Sequence, residues 1–331
     1  MLDDLPVRKG PALSAMKYAR RALYAARCEN IRWPALGLIR AAQTACCTDS
    51  RDHVYALLGL IDQLSDMEVD YTKATHEVFE DATLQLMRRT QSLDTLVIGS
   101  RSASDPHLPS WVVPFERLGS HNTIDPSVMA VGLFNPSCGA KFRFALPCQG
   151  RLDVFGFQID TIAKAYSGVE SWEWSSNTDA VFNAIERRRS AYLHRTGISE
   201  ASSVSSDRIR TFWRTMLWGD WPDTEDSIVE PKLSLSTIST LADSTFFLTK
   251  GGLVGLANGA TSVRPGDALY VLAGCGHPMC LRRTAATEQT FEAIAPAYVD
   301  GSCPSIFRIA THCLLTHHRH HERRGCHSRG T

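Results

Sequence analysis

The hydrophobic pattern of this chain changes period along its length, and the change limits the class of fold it can adopt. From Thr75 to Arg89, Val78, Phe79, Ala82, Leu86 and Met87 recur at the spacing of one helical face. Glu77, Glu80 and Asp81 lie in the N-terminal half of that segment and Arg88 and Arg89 at its end, the order that suits the helix dipole. From Phe142 the period becomes two: Phe142, Phe144 and Leu146 alternate with Lys141, Arg143 and Ala145, and Leu152, Val154 and Gly156 alternate with Asp153, Phe155 and Phe157. A helical part followed by a strand-rich part reads as an α+β fold. The expectation is a helical N-terminal part packed with a mainly antiparallel β C-terminal part that curls into a small barrel-like meander.

The helical part contains further segments. Ala12 to Ala26 and Ile31 to Ala45 read as helices, the second with Pro34 tolerated in its first turn. Asp49 and Ser50 are capping residues, and Asp52 adds negative charge to the first turn that follows them. Val54, Leu57, Leu58 and Ile61 then share one face, so this helix docks on a core and stops near Gly59 or Asp62. Leu93 to Ile98 reads as a short buried strand or turn, and Gly99 to His107 as a polar connector.

In the strand-rich part the two alternating runs pair as a hairpin across Pro147 to Gly150. A loop bearing Trp172 and Trp174, a helix near Ala180 to His194 and a Ser-rich loop from Thr196 to Ser206 follow. Asp207 caps the next helix, whose apolar face is Ile209, Phe212, Trp213, Met216 and Leu217. Thr245 to Thr249, a turn at Lys250-Gly251-Gly252 and Leu253 to Leu256 form a hairpin. Arg264-Pro265-Gly266-Asp267 places Pro and Gly where a type II turn wants them, ahead of the strand Ala268 to Ala273. Gly274 to Pro278 turns the chain again into Met279 to Arg282. The organisation read is a helical region 1–115, an α+β region 116–301 and a tail 302–331. That tail holds His312, His317, His318, His320, His321 and His327 beside several arginines. A disordered segment, or a coding end altered by a shifted reading frame, accounts for it better than a Zn or Ni site built on Cys313 and Cys326, because no CxxC pair is present and no periodicity fixes the histidines on a helix.

Composition removes several function classes. Lys plus Arg equals Asp plus Glu at 35 each, so no global field draws the chain to nucleic acid or a membrane surface. The N-terminus MLDDLPVRKG lacks the basic-then-apolar order of a secretory signal, and no stretch approaches the roughly 20 apolar residues of a spanning helix. A cytoplasmic protein with reduced thiols is expected; its ten cysteines form no repeated CxxC pairs. The GxSxG, GxxxxGK[ST], HExxH and DFG signatures are missing. Gly251 to Gly255 resembles a phosphate loop only in its glycines, which a hairpin explains. Cys275 and His277, two residues apart, form a conceivable nucleophile pair with no identifiable orienting group. Neither catalytic residues nor a cofactor or metal site is assigned.

The short motifs carry a resemblance. Arg51 to Leu60 (RDHVYALLGL), then Val69 to Met87 (VDYTKATHEVFEDATLQLM), then Leu108 to Phe115 (LPSWVVPF) resemble the region just downstream of the HET domain in fungal heterokaryon incompatibility proteins. Phe212 to Thr215, Arg264 to Asp267, Pro278 to Arg282 and Ala297 to Val299 are similar to later landmarks of that family, so the likeness spans roughly residues 30 to 301. The tryptophan-glycine and tryptophan-isoleucine-aspartate segments of the HET domain itself are not found. About fifty residues precede Arg51, fewer than the roughly 100 to 150 of a typical domain, so the resemblance implies the downstream half standing without the signalling domain. The matching residues Arg51, Asp52, Tyr55, Ala56, Leu57, Gly59, Asp70, Tyr71, Pro109, Trp111, Gly266 and Asp267 are read as structural. Arg51 is expected to bridge to a carboxylate or carbonyl of its own fold, Trp111 to wedge over a core edge, and Glu186 to Arg189 to form a solvated helix face. The function implied is a non-enzymatic recognition or regulatory module that binds a protein partner. The alternatives are an enzyme with a Cys/His pocket and a gene remnant without activity.

Overall fold

The apolar stripes decide where each element sits. The structure, a computed structural model, describes residues 35–43, 47–98, 108–116, 136–137, 140, 142, 144–148, 150–168, 178–196, 205–219, 238, 241–258, 263–284, 290–300 and 311–315. The helices among them are α1 (Ala35–Ala42), α2 (Asp52–Tyr55), α3 (Thr75–Thr90), α4 (Thr95–Ile98), α5 (Thr178–Thr196) and α6 (Ser205–Met216), with a 3-10 turn at Asp62–Leu64. In α3 the stripe read from sequence, Val78, Phe79, Ala82, Leu86 and Met87, is the buried face. The Glu77 carboxylate reaches back to accept the Ala74 N–H at 2.8 Å, which satisfies a donor left over at the helix start.

Two helical expectations change in form. The motif helix lasts one turn, as α2, and continues through i to i+3 bonds such as Leu57 N to Val54 O (2.9 Å) and Leu60 N to Leu57 O (2.9 Å). Val54, Leu57 and Ile61 are buried by this tighter winding all the same, so burial did not depend on a regular helix. Leu93 to Ile98 is neither strand nor open turn: α4 is a single helical turn with all four residues buried. A short run that is apolar on every side carries no period from which its conformation could be read. The expected helix at Ala12 to Ala26 lies outside the described residues.

Among the described residues eight strands follow: β1 (Phe144–Cys148), β2 (Arg151–Tyr166), β3 (Ser244–Thr249), β4 (Val254–Asn258), β5 (Ala268–Leu272), β6 (Met279–Arg283), β7 (Thr290–Val299) and β8 (Thr311–Leu315). β1 and β2 form the expected hairpin, in register Phe144 to Val154 and Cys148 to Arg151. The pairings β2–β3, β3–β4, β4–β7, β7–β6, β6–β5 and β5–β2 are all antiparallel and return to their starting strand. The meander thus closes into a six-stranded ring. The long β2 makes closure work, since Gly156 to Thr161 pair with β5 and Ile162 to Tyr166 with β3.

A ring of six strands has a narrow interior, and its lining is suited to that. Ala257, Cys280, Ala295 and Ala297 share it with Ile162, Phe247 and Leu269. At Gly255 of β4 a Cβ would collide with the Phe247 ring, so the missing side chain makes room for the largest interior one. Alternate residues of the same strands face outward: Phe246 and Leu248, Ala268 and Tyr270, Met279 and Leu281 belong to a second cluster that includes the helices. Every position of β3, β4, β5 and β7 is therefore buried. Tyr192 of α5 stacks on Phe212 of α6 at 6.0 Å, and Phe212 meets Phe246 of β3 edge-on at 5.7 Å, so the three side chains seat both helices on the ring.

β7 and β8 were not read as strands from the sequence. β8 pairs antiparallel with Leu152 to Gly156 of β2 and parallel with Thr290 and Phe291 of β7. The fold therefore continues past Gly301, where the sequence reading ended it; the remainder of the expected disordered tail lies outside the described residues.

Candidate functional site

The residues of the first motif converge on the connector that leads into α3. Asp49 accepts the Arg51 backbone N–H at 3.0 Å and, through both carboxylate oxygens, the Arg51 Nε (2.9 Å) and a terminal guanidinium nitrogen (2.6 Å). The other terminal nitrogen of Arg51 donates to the carbonyls of Tyr71 (2.6 Å) and Lys73 (2.9 Å). Tyr55 Oη donates to the Asp70 carbonyl at 2.8 Å and accepts the Asp70 N–H at 3.2 Å. Tyr71 Oη donates to Asp52 at 2.6 Å, its ring meets that of Tyr55 edge-on at 5.1 Å, and the Arg51 guanidinium lies 5.2 Å from its centroid. Asp70 turns its carboxylate onto Thr72, accepting both N–H (2.8 Å) and Oγ1 (2.6 Å). A planar guanidinium with five donors can grip both carboxylate oxygens and two carbonyls at once, four bonds for which an ammonium with three donors is insufficient. The Arg51 bonds hold the Asp49 carboxyl down at about 2, and the Asp52 bond raises the Tyr71 phenol.

The same motif leaves other residues outside this lock. Leu57 is buried, whereas Ala56 and Gly59 are exposed, and a Cβ at Gly59 would meet nothing within 4 Å. Val69 is exposed by 55%, and Tyr71, whose hydroxyl belongs to the lock, is exposed by 52%; they are two of the few large hydrophobics that the described residues leave in solvent.

The Leu108 to Phe115 segment is wholly internal in character. Trp111 is fully buried and its indole N–H donates to the Gly150 carbonyl at 3.0 Å. Pro109 lies beside Gly150. Ser110 Oγ accepts the Ala293 N–H of β7 (2.9 Å), and Val113 N–H donates to Thr83 Oγ1 of α3 (3.1 Å). The segment therefore stitches α3, the β1–β2 hairpin and the ring together. In the Arg264 to Asp267 segment Gly266 has φ +96° and Asp267 N–H donates to Arg264 O at 3.1 Å, the hydrogen bond and backbone of a type II turn. Asp267 is buried; it accepts Arg264 N–H (2.8 Å) and a two-pronged contact from Arg282 at 2.9 and 2.8 Å.

Cys275 and His277 sit in the β5–β6 turn and both are buried. Burial in apolar surroundings pushes the Cys275 thiol far above its ordinary range, and it holds the His277 imidazole down. Burial of this kind disfavours the thiolate, the form that attacks. Among the described residues no group of three His, Cys, Asp or Glu is placed to hold a metal ion, and no helix is long and apolar enough to cross a membrane. Gly251 and Gly252 form the β3–β4 turn, with φ +98° at Gly252.

One expectation is corrected. Arg188 is not on a solvated face: it is 1% exposed and donates to the carbonyls of Leu241 (3.1 Å) and Ser244 (2.5 Å). Val181, Ala184, Ile185, Arg188 and Tyr192 follow one helical stripe, so periodicity placed Arg188 inside even though the charge run suggested otherwise. Desolvation brings its guanidinium down to about 10, still charged at neutral pH.

Comparison of the chain with protein-family models, with curated proteins and with solved structures finds no match in any of the three.

Proposed function

We propose that this chain is a non-enzymatic recognition module, of the kind that lies downstream of the HET domain in fungal heterokaryon incompatibility proteins, and that it acts by binding a protein partner. The observation that carries this reading is the division of labour inside the first motif. Arg51, Asp52, Tyr55, Asp70 and the Tyr71 hydroxyl are committed to hydrogen bonds that set the connector, while Ala56, Gly59, Val69 and the half-exposed Tyr71 ring face solvent around it. Neither backbone angle nor local crowding requires glycine at position 59. A rigid connector presenting exposed apolar side chains beside small ones suits docking of another surface, because little side-chain freedom remains to be lost on binding. The burial of Cys275 and His277 supports the non-enzymatic part of the reading.

The test places a photo-crosslinking residue at Val69 and, separately, introduces Gly59→Arg. The Val69 probe is expected to give a discrete adduct with one protein in extracts of the source cells, competed away by excess unlabelled chain. Gly59→Arg should abolish that adduct while changing stability by no more than about 0.5 kcal/mol, as is usual for a surface substitution. An absence of any competed adduct, or an adduct insensitive to Gly59→Arg, contradicts the reading.

A further inference from the structure

The β5–β6 turn is the point at which three parts of the molecule meet. From the segment before α4, Leu93 N–H and Ser92 Oγ donate to the Gly274 carbonyl at 2.8 and 3.0 Å, and Asp94 accepts the Gly276 N–H at 2.7 Å. From beyond α6, the Trp218 ring meets the His277 ring edge-on at 6.3 Å and lies 6.4 Å from that of Tyr298 on β7. His277 is thus buried where the N-terminal helices, α6 and the ring are held together.

Trp218 is also held in an unfavourable conformation. α6 ends with Gly219 N–H donating to Arg214 O (2.8 Å) and Trp218 N–H to Thr215 O (3.3 Å). This is the Schellman pattern, in which the residue at position 218 takes the left-handed conformation normally given to glycine. Trp218 adopts it with φ +53°, a strained state for a bulky side chain that persists only where its surroundings enforce it. The enforcement is the burial of its indole against His277 and Tyr298.

We propose that the His277 turn is an acid-sensitive latch: protonation of the imidazole loosens the docking of the Ser92–Asp94 segment and of strained Trp218 on the ring. Groups from three sides face the imidazole. Asp94 faces it from the segment before α4, Cys275 lies in its own turn, and from the α6 and β7 side it meets the aromatic faces of Trp218 and, behind it, Tyr298. The Tyr298 phenol donates to Asp300 (3.2 Å), which lies 3.5 Å from Arg214, so that carboxylate already has a cation and a donor. Asp94 favours the imidazolium but spends one oxygen on Gly276. Burial outweighs it, and the folded imidazole titrates below its ordinary value of 6.5. The sign follows: the opened state takes up the proton first, so the latch is tight above about pH 6.5 and weakens as pH falls from there toward the lowered folded value.

Hydrogen exchange of the Leu93 amide at pH 7.5 and 5.0, corrected for intrinsic rates, tests the latch in the full chain. In the wild type, opening at pH 5.0 is expected to exceed that at pH 7.5, by up to about thirtyfold, the ceiling for one group that titrates at 6.5 when opened. His277→Gln should show no such rise. Asp94→Asn keeps an acceptor for Gly276 but removes the charge, so it should open further than wild type at pH 5.0 and resemble it at pH 7.5; this variant decides the matter if His277→Gln folds poorly. A flat wild-type response, an equal rise in His277→Gln, or an Asp94→Asn variant that opens no further than wild type overturns the proposal.

Discussion

Arg51 shows how much one side chain can organise. Its guanidinium joins Asp49 before α2 to the Tyr71 and Lys73 carbonyls before α3, so two segments about twenty residues apart share one bridge. Lysine at this position retains the charge and loses the fork. Arg51→Lys is expected to lower the melting temperature and to raise the pH at which acid unfolding begins. The sign comes from Asp49: its folded value of about 2 lies below its ordinary 3.8, so its contribution is present above pH 3.8 and is lost as pH falls toward 2. Without the bidentate partner that window narrows, and melts followed by circular dichroism between pH 2 and 5 measure it. At this scale the sequence was informative about Arg51, whose helix-start position pointed to an internal bridge, and about Gly266, which the Arg-Pro-Gly-Asp order placed in a type II turn. It was misleading about Arg188, because a run of four charged residues conceals the helical stripe that buries its third member.

Elements were legible where one face of them meets solvent. α3 is such a case: acids first, bases last, and a clean buried stripe. β7 is the opposite. It is buried at every position, so beyond Thr290 and Glu292 no polar residues alternate with its apolar ones, and its three alanines and Pro296 argue against a strand on propensity. Pro296 is tolerated because the pairing with β4 begins only at Ala297, leaving no β4 partner that needs the missing N–H. β8 escaped notice for another reason: it is a short apolar run next to a histidine- and arginine-rich stretch whose composition dominates the segment. Ending the chain after Gly301 should therefore destabilise the protein, since β8 fills positions beside both β2 and β7. Each ladder bond lost contributes about 0.5–1.5 kcal/mol. Denaturant titration of the shortened chain against the full one checks this, and equal midpoints would show that β8 adds nothing to stability.

For the whole molecule, closure of the ring decides where chemistry can and cannot occur. The inner face is filled by Ile162, Leu269, Phe247 and small residues, the outer face is covered by helices, and the Leu108 to Phe115 segment ties the two layers through Trp111 and Ser110. The Cys/His pair suggested by sequence proximity falls within this packing, and no feature of the linear sequence distinguished a buried turn from an exposed one. We propose that the titratable candidates serve the fold and that recognition belongs to the exposed part of the first motif. Labelling the native chain with a thiol-specific reagent at pH 8 and locating the adducts by mass spectrometry tests it directly. Exposed Cys47 should react readily, while buried Cys275 and Cys280 stay unmodified until the protein unfolds. Rapid modification of Cys275 in the folded chain would contradict the account and restore the thiol as a nucleophile.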